Sequence, residues 1–200
     1  MGKYDHLCRF RQKINENNMS SNAHWYIGHI SHDLSSKWGV IHQEAQQLIN
    51  TMHRVGARVI TAESCTGGML ATLLTDFPGA SHVVEGGFVT YSNPMKQAIL
   101  GVKTTTLQHY GAVSAQTVQE MAEGALQASE RANLALAISG IAGPDGATPE
   151  KPVGLVWFGL ALRPSHHRPT QTEYQIFKGE RADIRTQAVY YAIKFIAAHL

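Results

Sequence analysis

The feature that most constrains the fold is a run of small residues between a strand pattern and a helix pattern. Residues 61–68 read TAESCTGG and follow residues 58–60, a short β-branched run that is typical of a strand. Residues 69–74, which come next, favour a helix. Strand, tight turn and helix in this order predict an α/β unit with Ser64 at the start of the helix. We expect backbone N–H groups and the positive end of the helix dipole to face its hydroxyl.

The residues around Ser64 leave three interpretations open. A hydroxyl at a helix N-terminus lies beside donors that can hold a phosphate or a developing oxyanion. Alternatively, Ser64 or Thr66 only caps the helix, and Gly67 and Gly68 form the turn. Cys65 is a rival nucleophile, because a helix N-terminus lowers the pKa of a thiol. Adjacent side chains do not easily face the same point, however, and cysteine is often a small buried hydrophobic residue.

Helix and strand patterns alternate along the chain from Ile41 onward. Interleaving of this kind predicts one α/β domain of three layers (α/β/α) around a mixed sheet. The glycine pair at 86–87 predicts a bulge or a close backbone approach, and the weak alternation of residues 170–177 indicates a strand nearer an edge. Further helix patterns cover residues 41–55, 93–100, the surroundings of 107, a stretch from Ser114 or Thr117 to 126, and 179 onward. Further strand patterns cover residues 83–91, 134–138 and 155–158.

Composition excludes several classes of protein. With 200 residues, 44% of them hydrophobic and 16% charged, the chain suits one globular domain with a real core. A net charge of +2 is too weak to indicate nucleic acid or an anionic membrane as a partner. The apolar run at 155–162 is too short to span a bilayer, and we find no apolar signal segment. The two cysteines lie far apart in sequence, so we expect a reduced, cytoplasmic protein without a disulfide framework.

Residues 1–40 form an extension that is polar and irregular in sequence. Its aromatic residues indicate that part of it packs on the body. His29 and His32 form an H-x-x-H pair, which we interpret as surface histidines, because no acidic or cysteine partner stands at metal-ligand spacing. Met19 is an alternative start of the chain.

Two further strand-to-loop junctions are candidates for a binding site, because ligands in open α/β sheets bind at the C-terminal ends of strands. Residues 139–146 read SGIAGPDG; they either bring bare backbone N–H groups close to a ligand or form a plain surface turn. Tyr91 ends a strand pattern, and Lys96 lies one turn into the next helix pattern. Neither a P-loop nor a G-x-G-x-x-G fingerprint is present, which disfavours a nucleoside triphosphate or dinucleotide fold.

Lys96 is the candidate base for Ser64, and Arg181 is a candidate for binding an anion. A serine needs a base to become a nucleophile, and lysine can serve if burial lowers its pKa from about 10.4 towards neutrality. The alternative is an ordinary solvated lysine on a helix. Arg181 stands in the first turn of the last helix pattern, four residues before Arg185. A cation there opposes the helix dipole, so it indicates a phosphate or carboxylate partner, unless it is a surface arginine.

Four sequence motifs resemble those of one family, and they occur in the family's order. They are residues 62–68 (AESCTGG), 87–93 (GFVTYSN) with Lys96, 111–114 (GAVS), and 139–146 (SGIAGPDG) with 151–154 (KPVG). On these motifs the sequence is identified as a member of the CinA C-terminal domain family from about Ile41 to the end. Residues 1–40 lie outside the resemblance, and we find no counterpart of the N-terminal molybdopterin-like domain of full-length CinA proteins.

The resemblance implies an amidase of pyridine nucleotide salvage that hydrolyses the carboxamide of nicotinamide mononucleotide. It implies that Ser64 is the nucleophile, that Lys96 and Tyr91 handle its proton, and that backbone groups of residues 139–143 form the oxyanion site. It implies no metal and no cofactor. The substrate-binding positions it implies are Glu63, Thr66, Gly67, Gly68, Asn93, Ser139, Gly140, Ala142, Gly143 and Arg181.

Two other functions remain open at this point. One is a non-catalytic nucleotide-binding or regulatory module, which fits the competence and DNA-damage associations of the CinA name. The other is a hydrolase that depends on Cys65. We expect a small nucleotide as the partner, and a homo-oligomer, a dimer or a higher assembly.

Overall fold

The computed structural model describes residues 32–163 and 169–200, with side chains from residue 38 onward. The chain divides into two units, Met1–Gly39 and Val40–Leu200, and the second is the body described below. The expectations for the aromatic residues of the extension before residue 38 and for the H-x-x-H pair fall outside the described side chains. The elements are α1 His32–Val55, β1 Val59–Glu63, α2 Met69–Thr75, a 3-10 turn Ala80–His82, β2 Val84–Val89, α3 Asn93–Leu100, α4 Thr104–Tyr110, α5 Ala115–Gln127, β3 Leu134–Gly140, β4 Leu155–Leu162, β5 Gln171–Ile176 and α6 Arg181–Ala197.

The strands form one mixed sheet in the order β2-β1-β3-β4-β5. Strand β1 runs parallel to β2 and β3, whereas β4 is antiparallel to both β3 and β5. The predicted mixed sheet is therefore confirmed, and β5 lies at an edge as expected. The register of β1 against β2 slips between Val59 and Ile60, whose partners are Val84 and Gly86. The irregularity thus lies at Glu85, one residue before the predicted glycine pair.

Helices cover both faces of the sheet, which confirms the three-layer prediction. The alternation of β3 explains the arrangement, because successive side chains of a strand point to opposite faces. Leu134, Leu136 and Ile138 belong to one buried cluster, and Ala135 and Ala137 belong to the other. The first cluster contains residues of α1, α2 and α6, and the second contains residues of α3 and α5. The small alanine side chains let α5 pack close to the sheet.

Several element boundaries differ from the sequence predictions. Strand β1 continues to Glu63, three residues beyond the predicted strand, because Glu63 pairs with both Val89 and Ile138. Helix α1 begins at His32, before the predicted start at Ile41. Ser114 rather than Thr117 caps α5, since its hydroxyl accepts from the Thr117 N–H at 3.2 Å. Within the described ranges, no helix is both long and apolar enough to cross a membrane.

Candidate active site

Ser64 and Lys96 meet at the C-terminal ends of the parallel strands. Ser64 directly follows β1, and its N–H donates to the carbonyl of Ile138 in β3 at 2.9 Å. Lys96 stands in the first half of α3, and its side chain is 1% exposed. The Nζ atom of Lys96 donates to the Oγ atom of Ser64 at 3.0 Å. The structure therefore brings the predicted nucleophile and the predicted base into direct contact.

The burial of Lys96 shifts its protonation equilibrium towards the neutral amine. Its Nζ atom also donates to the carbonyl oxygens of Thr90, at 2.9 Å, and Tyr91, at 3.1 Å. Burial lowers the pKa of Lys96 from 10.5 to about 8, because the charged ammonium loses its hydration in the protein interior. The alternative interpretation of Lys96 as a solvated helix lysine is wrong.

Glu63 caps α2, the helix that follows Ser64. Its side chain is fully buried and accepts hydrogen bonds from the N–H groups of Gly68, Leu70 and Ala71 at 3.0, 3.2 and 2.8 Å. The interpretation that Ser64 or Thr66 caps this helix is therefore wrong. The expected set of free N–H groups facing Ser64 is also reduced, because an internal carboxylate already occupies three of them.

Cys65 points into the apolar cluster beneath α2 and α6, and it is 6% exposed. Burial raises the pKa of its thiol from 9.0 to about 11, and the nearby Glu63 carboxylate acts in the same direction. The expectation of a lowered thiol pKa is wrong, because desolvation outweighs the effect of the turn. A protonated, buried thiol is a poor nucleophile, so the geometry disfavours the hydrolase that depends on Cys65.

Arg181 connects the Tyr91 junction with the glycine-rich loop. Its Nη2 atom donates to the phenol oxygen of Tyr91 at 3.1 Å, and its Nη1 atom donates to the carbonyl of Gly143 at 2.8 Å. Tyr91 is 61% exposed, so its ring borders the solvent-accessible side of the site. Its phenol contacts Arg181, whereas its carbonyl contacts Lys96.

The glycine-rich loop follows β3, the neighbour of β1 in the sheet. The Ile141 N–H donates to Leu155 at 2.8 Å, whereas we find no acceptor among the described residues for the N–H groups of Ala142 and Gly143. A Cβ atom on Gly140 would lie 2.6 Å from a methyl group of Val156, so only glycine fits there. The loop is therefore fixed at Gly140, and the N–H groups of the buried residues Ala142 and Gly143 have no internal acceptor among the described residues.

The other predicted substrate-binding residues differ from one another in burial and in hydrogen bonding. Ser139 is buried, and its hydroxyl donates to the carbonyl of Ala112 at 2.7 Å, which ties the segment 111–114 to the end of β3. Thr66 is fully buried, and its hydroxyl has no partner among the described residues. Gly67 and Gly68 have φ angles of 62° and 92°, as the turn requires. Asn93 is exposed at the first position of α3.

Sequence reasoning missed three contacts of this site. The Thr90 carbonyl holds Lys96, the Ala112 carbonyl holds Ser139, and Arg185 donates to the Thr66 carbonyl at 2.9 Å. Two of the three acceptors lie far from their donors in sequence, and all three are backbone oxygens, so no residue type or local spacing marks them. Within the described part of the chain, no three His, Cys, Asp or Glu side chains gather as metal ligands.

The family model of the CinA C-terminal domain matches residues 41–200. The chain belongs to this family. The match covers the whole described sheet and each of the candidate residues above. It includes α1 only from Ile41, the residue at which that helix begins to contribute to the apolar core.

Named relatives within the CinA family fall into two size classes. The nicotinamide-nucleotide amidohydrolase PncC of Escherichia coli K12 is 48% identical over 152 residues, which are 76% of this chain and 90% of that protein. The protein of the same name from Enterobacter agglomerans is 45% identical over 154 residues, or 77% and 92% of the two chains. A CinA-like protein of Thermotoga neapolitana is 51% identical over 139 residues, but these are only 33% of that longer protein.

Solved structures of two similar proteins share this fold. The competence/damage inducible protein CihA of Agrobacterium tumefaciens has a TM-score of 0.74 at 44% identity, over 79% of this chain and 94% of that one. A CinA superfamily protein of Escherichia coli has a TM-score of 0.75 at 32% identity, over 80% and 90% of the two chains.

Proposed function

We propose that this chain is a nicotinamide-nucleotide amidase that converts nicotinamide mononucleotide to nicotinate mononucleotide and ammonia. Its similarity to the PncC amidohydrolases, over nine-tenths of the length of those proteins, supports the class of reaction. The observation that carries the proposal is the 3.0 Å contact between Lys96 Nζ and Ser64 Oγ at a buried lysine whose pKa is about 8.

The contacts of Lys96 suit a general base. A neutral lysine amine has two N–H hydrogens and one lone pair. The Thr90 and Tyr91 carbonyls accept the two hydrogens, which leaves the lone pair to accept the proton of the Ser64 hydroxyl. When the amine is protonated, its third hydrogen is directed at Ser64 Oγ instead, and serine cannot be activated. The two backbone carbonyls thus orient the amine in both states.

The reaction then proceeds through an acyl-enzyme. Ser64 Oγ attacks the carboxamide carbon while its proton moves to Lys96, and the carbonyl oxygen becomes an oxyanion. The N–H groups of Ala142 and Gly143 are the proposed donors to that oxyanion. Lys96 passes the proton to the amide nitrogen, the C–N bond breaks, and ammonia leaves. Neutral Lys96 then deprotonates a water molecule, which attacks the ester; the proton returns to Ser64 Oγ, and nicotinate mononucleotide leaves.

Arg181 and Tyr91 are the proposed contacts for the ribose phosphate. Arg181 is exposed, and it is held between the phenol of Tyr91 and the carbonyl of Gly143, so its orientation is fixed before substrate binds. A guanidinium suits a phosphate, because it offers several N–H donors in one plane. The phenol accepts from Arg181 and therefore keeps its own O–H for a substrate atom or for proton transfer.

Incubation with nicotinamide mononucleotide tests this proposal. We expect ammonia and nicotinate mononucleotide to appear in equal amounts, measured by an enzymatic ammonia assay and by chromatography. The matched control is Ser64→Ala, which removes only the hydroxyl oxygen. Calorimetric binding of the mononucleotide without release of ammonia would reject the amidase and favour the non-catalytic nucleotide-binding module.

A further inference from the structure

Two arginines one turn apart on α6 reach two different loops of the site. Arg181 is exposed and donates to the carbonyl of Gly143 in the glycine-rich loop. Arg185 is partly buried and donates from Nη2 to the carbonyl of Thr66. The Nε atom of Arg185 is buried and has no hydrogen-bond partner among the described residues. The proposed substrate contacts use Arg181, and they leave Arg185 without a role.

The residues that Arg185 contacts belong to the nucleophile turn, residues 64–68. The turn is closed internally, since the Gly67 N–H donates to the Ser64 carbonyl at 3.1 Å. At its helix end, Glu63 accepts from the N–H of Gly68. In its middle, the Thr66 carbonyl accepts from Arg185 at 2.9 Å and from the Met69 N–H at 3.2 Å, and a Cβ atom on Gly67 would lie 3.6 Å from the guanidinium of Arg185. That distance is an ordinary van der Waals contact, so glycine is favoured at this position by its φ angle of 62°.

We infer that Arg185 is a positioning residue, which holds the nucleophile turn so that Ser64 Oγ stays within reach of Lys96. It acts through the backbone of Thr66 and does not contact the substrate. The consequence for catalysis is large, because a displacement of about 1 Å at a reacting group costs up to about a hundredfold in rate. The kinetic part of this inference rests on the proposed function.

Kinetics of two matched variants separate positioning from binding. For Arg185→Met we expect kcat for nicotinamide mononucleotide to fall about 10- to 100-fold, with KM changed by less than about twofold. For Arg181→Met, on the same helix, we expect mainly a higher KM. The pH at half-maximal kcat should be unchanged in Arg185→Met, because Arg185 is not among the groups that shift the pKa of Lys96. Arg131→Met, which removes a largely exposed arginine beside Glu85, should change neither constant.

Rescue distinguishes a lost hydrogen bond from general damage. Ethylguanidine added to Arg185→Ala should restore part of kcat, and Arg185→Lys should retain more activity than Arg185→Met, since an amine can still donate to Thr66. A rise in KM with unchanged kcat, or the absence of any rescue, would overturn the positioning role.

Amide hydrogen exchange provides a test that needs no turnover. In Arg185→Met we expect residues 64–68 to exchange faster than in the parent protein, while the melting temperature stays within a few degrees. Unchanged exchange in this turn would overturn the inference even if activity fell. If Arg185→Met does not fold, the same comparison is made with Arg185→Ala in the presence and absence of ethylguanidine, and the added guanidinium should slow exchange in this turn. If the parent protein releases no ammonia but the turn still loosens, the proposed function fails and the positioning role stands.

Discussion

At the scale of single residues, burial shifts the pKa values of two neighbouring groups, Lys96 and Cys65, in opposite directions. Burial lowers the pKa of Lys96 to about 8, because the charged form of lysine is the cationic one. Burial raises the pKa of Cys65 to about 11, because the charged form of cysteine is the thiolate. Desolvation therefore favours the basic, reactive form of Lys96 and the inert form of Cys65. This difference supports the proposal that Ser64, and not its sequence neighbour, is the nucleophile.

The pH dependence of turnover follows from Lys96. The reactive form is the neutral amine, so kcat/KM should rise with pH and reach half of its plateau near the lysine pKa of about 8. Lys96→Arg should be inactive at every pH, because a guanidinium stays protonated. Rate profiles between pH 6 and pH 10 measure both effects. A profile without an ionisation in this range, or an active arginine variant, would contradict the assignment of Lys96 as the base.

The choice between Ser64 and Cys65 is tested by paired substitutions. Ser64→Ala and Lys96→Met should each lower kcat by orders of magnitude, and the double variant should be hardly slower, because the two residues act as one unit. Cys65→Ala should keep most of the activity and lose only packing, about 1–2 kcal/mol of stability. Circular dichroism confirms folding of each variant. If Ser64→Ala stayed active while Cys65→Ala did not, the Ser–Lys scheme would have to be abandoned.

At the scale of elements, glycine residues let helix α5 pack closely against α3 and β4. A Cβ atom added to Gly124 in α5 would lie 1.9 Å from the carbonyl oxygen of Leu100, the last residue of α3. A Cβ atom on Gly159 in β4 would lie 2.4 Å from the carbonyl oxygen of Val118 in α5. Both contacts involve backbone atoms, which cannot turn aside as a side chain can. Close packing here keeps α3, and with it Lys96, against the sheet.

Substitution of Gly124 tests this fit. Alanine normally stabilises a helix interior by up to about 1 kcal/mol relative to glycine, but Gly124→Ala should destabilise by about 2–4 kcal/mol because α3 must move. The control is Gly39→Ala in α1, where a new Cβ atom meets nothing within 4 Å and the propensity effect should appear alone. Urea unfolding measures both. Equal effects of the two substitutions would show that α3 and α5 are not in close contact.

At the scale of the whole molecule, the site is assembled from segments that are distant in sequence. The C-terminal ends of β1 and β3 lie side by side, so the nucleophile turn and the glycine-rich loop become neighbours. Helix α6, the last element, then returns to this edge and contacts both loops through Arg181 and Arg185. The site therefore depends on complete folding of the body.

The expectation that the protein forms a homo-oligomer stays a prediction.

Recognition of the phosphate is a property of this assembly. If Arg181 binds it, nicotinamide riboside should be used about ten- to a hundredfold less efficiently than the mononucleotide, because a charge-assisted hydrogen bond contributes about 1.5–3 kcal/mol. Comparison of kcat/KM for the two compounds measures this preference. In Arg181→Met the preference for the mononucleotide should shrink. Equal use of both compounds by the parent protein would show that the phosphate does not contribute to recognition.

The contribution of the extension is tested by a shorter chain. The described core begins at Ile41, which is also where the family match begins. A chain that starts at Met19 should therefore fold and keep kcat and KM close to those of the full chain. Thermal unfolding and the ammonia assay compare the two. Loss of the cooperative transition in the shorter chain would show that residues 1–18 contribute to the core.

The sequence by itself determined the alternation of elements, the three-layer architecture and the positions of Ser64 and Lys96, because periodicity and turn residues act over short distances. It did not determine the surroundings of those residues. The contact of Lys96 with Ser64 and the contact of Arg185 with Thr66 depend on which segments lie side by side, because 32 and 119 residues separate the partners. Only the tertiary structure decided them, because burial and backbone acceptors come from segments that no local pattern connects.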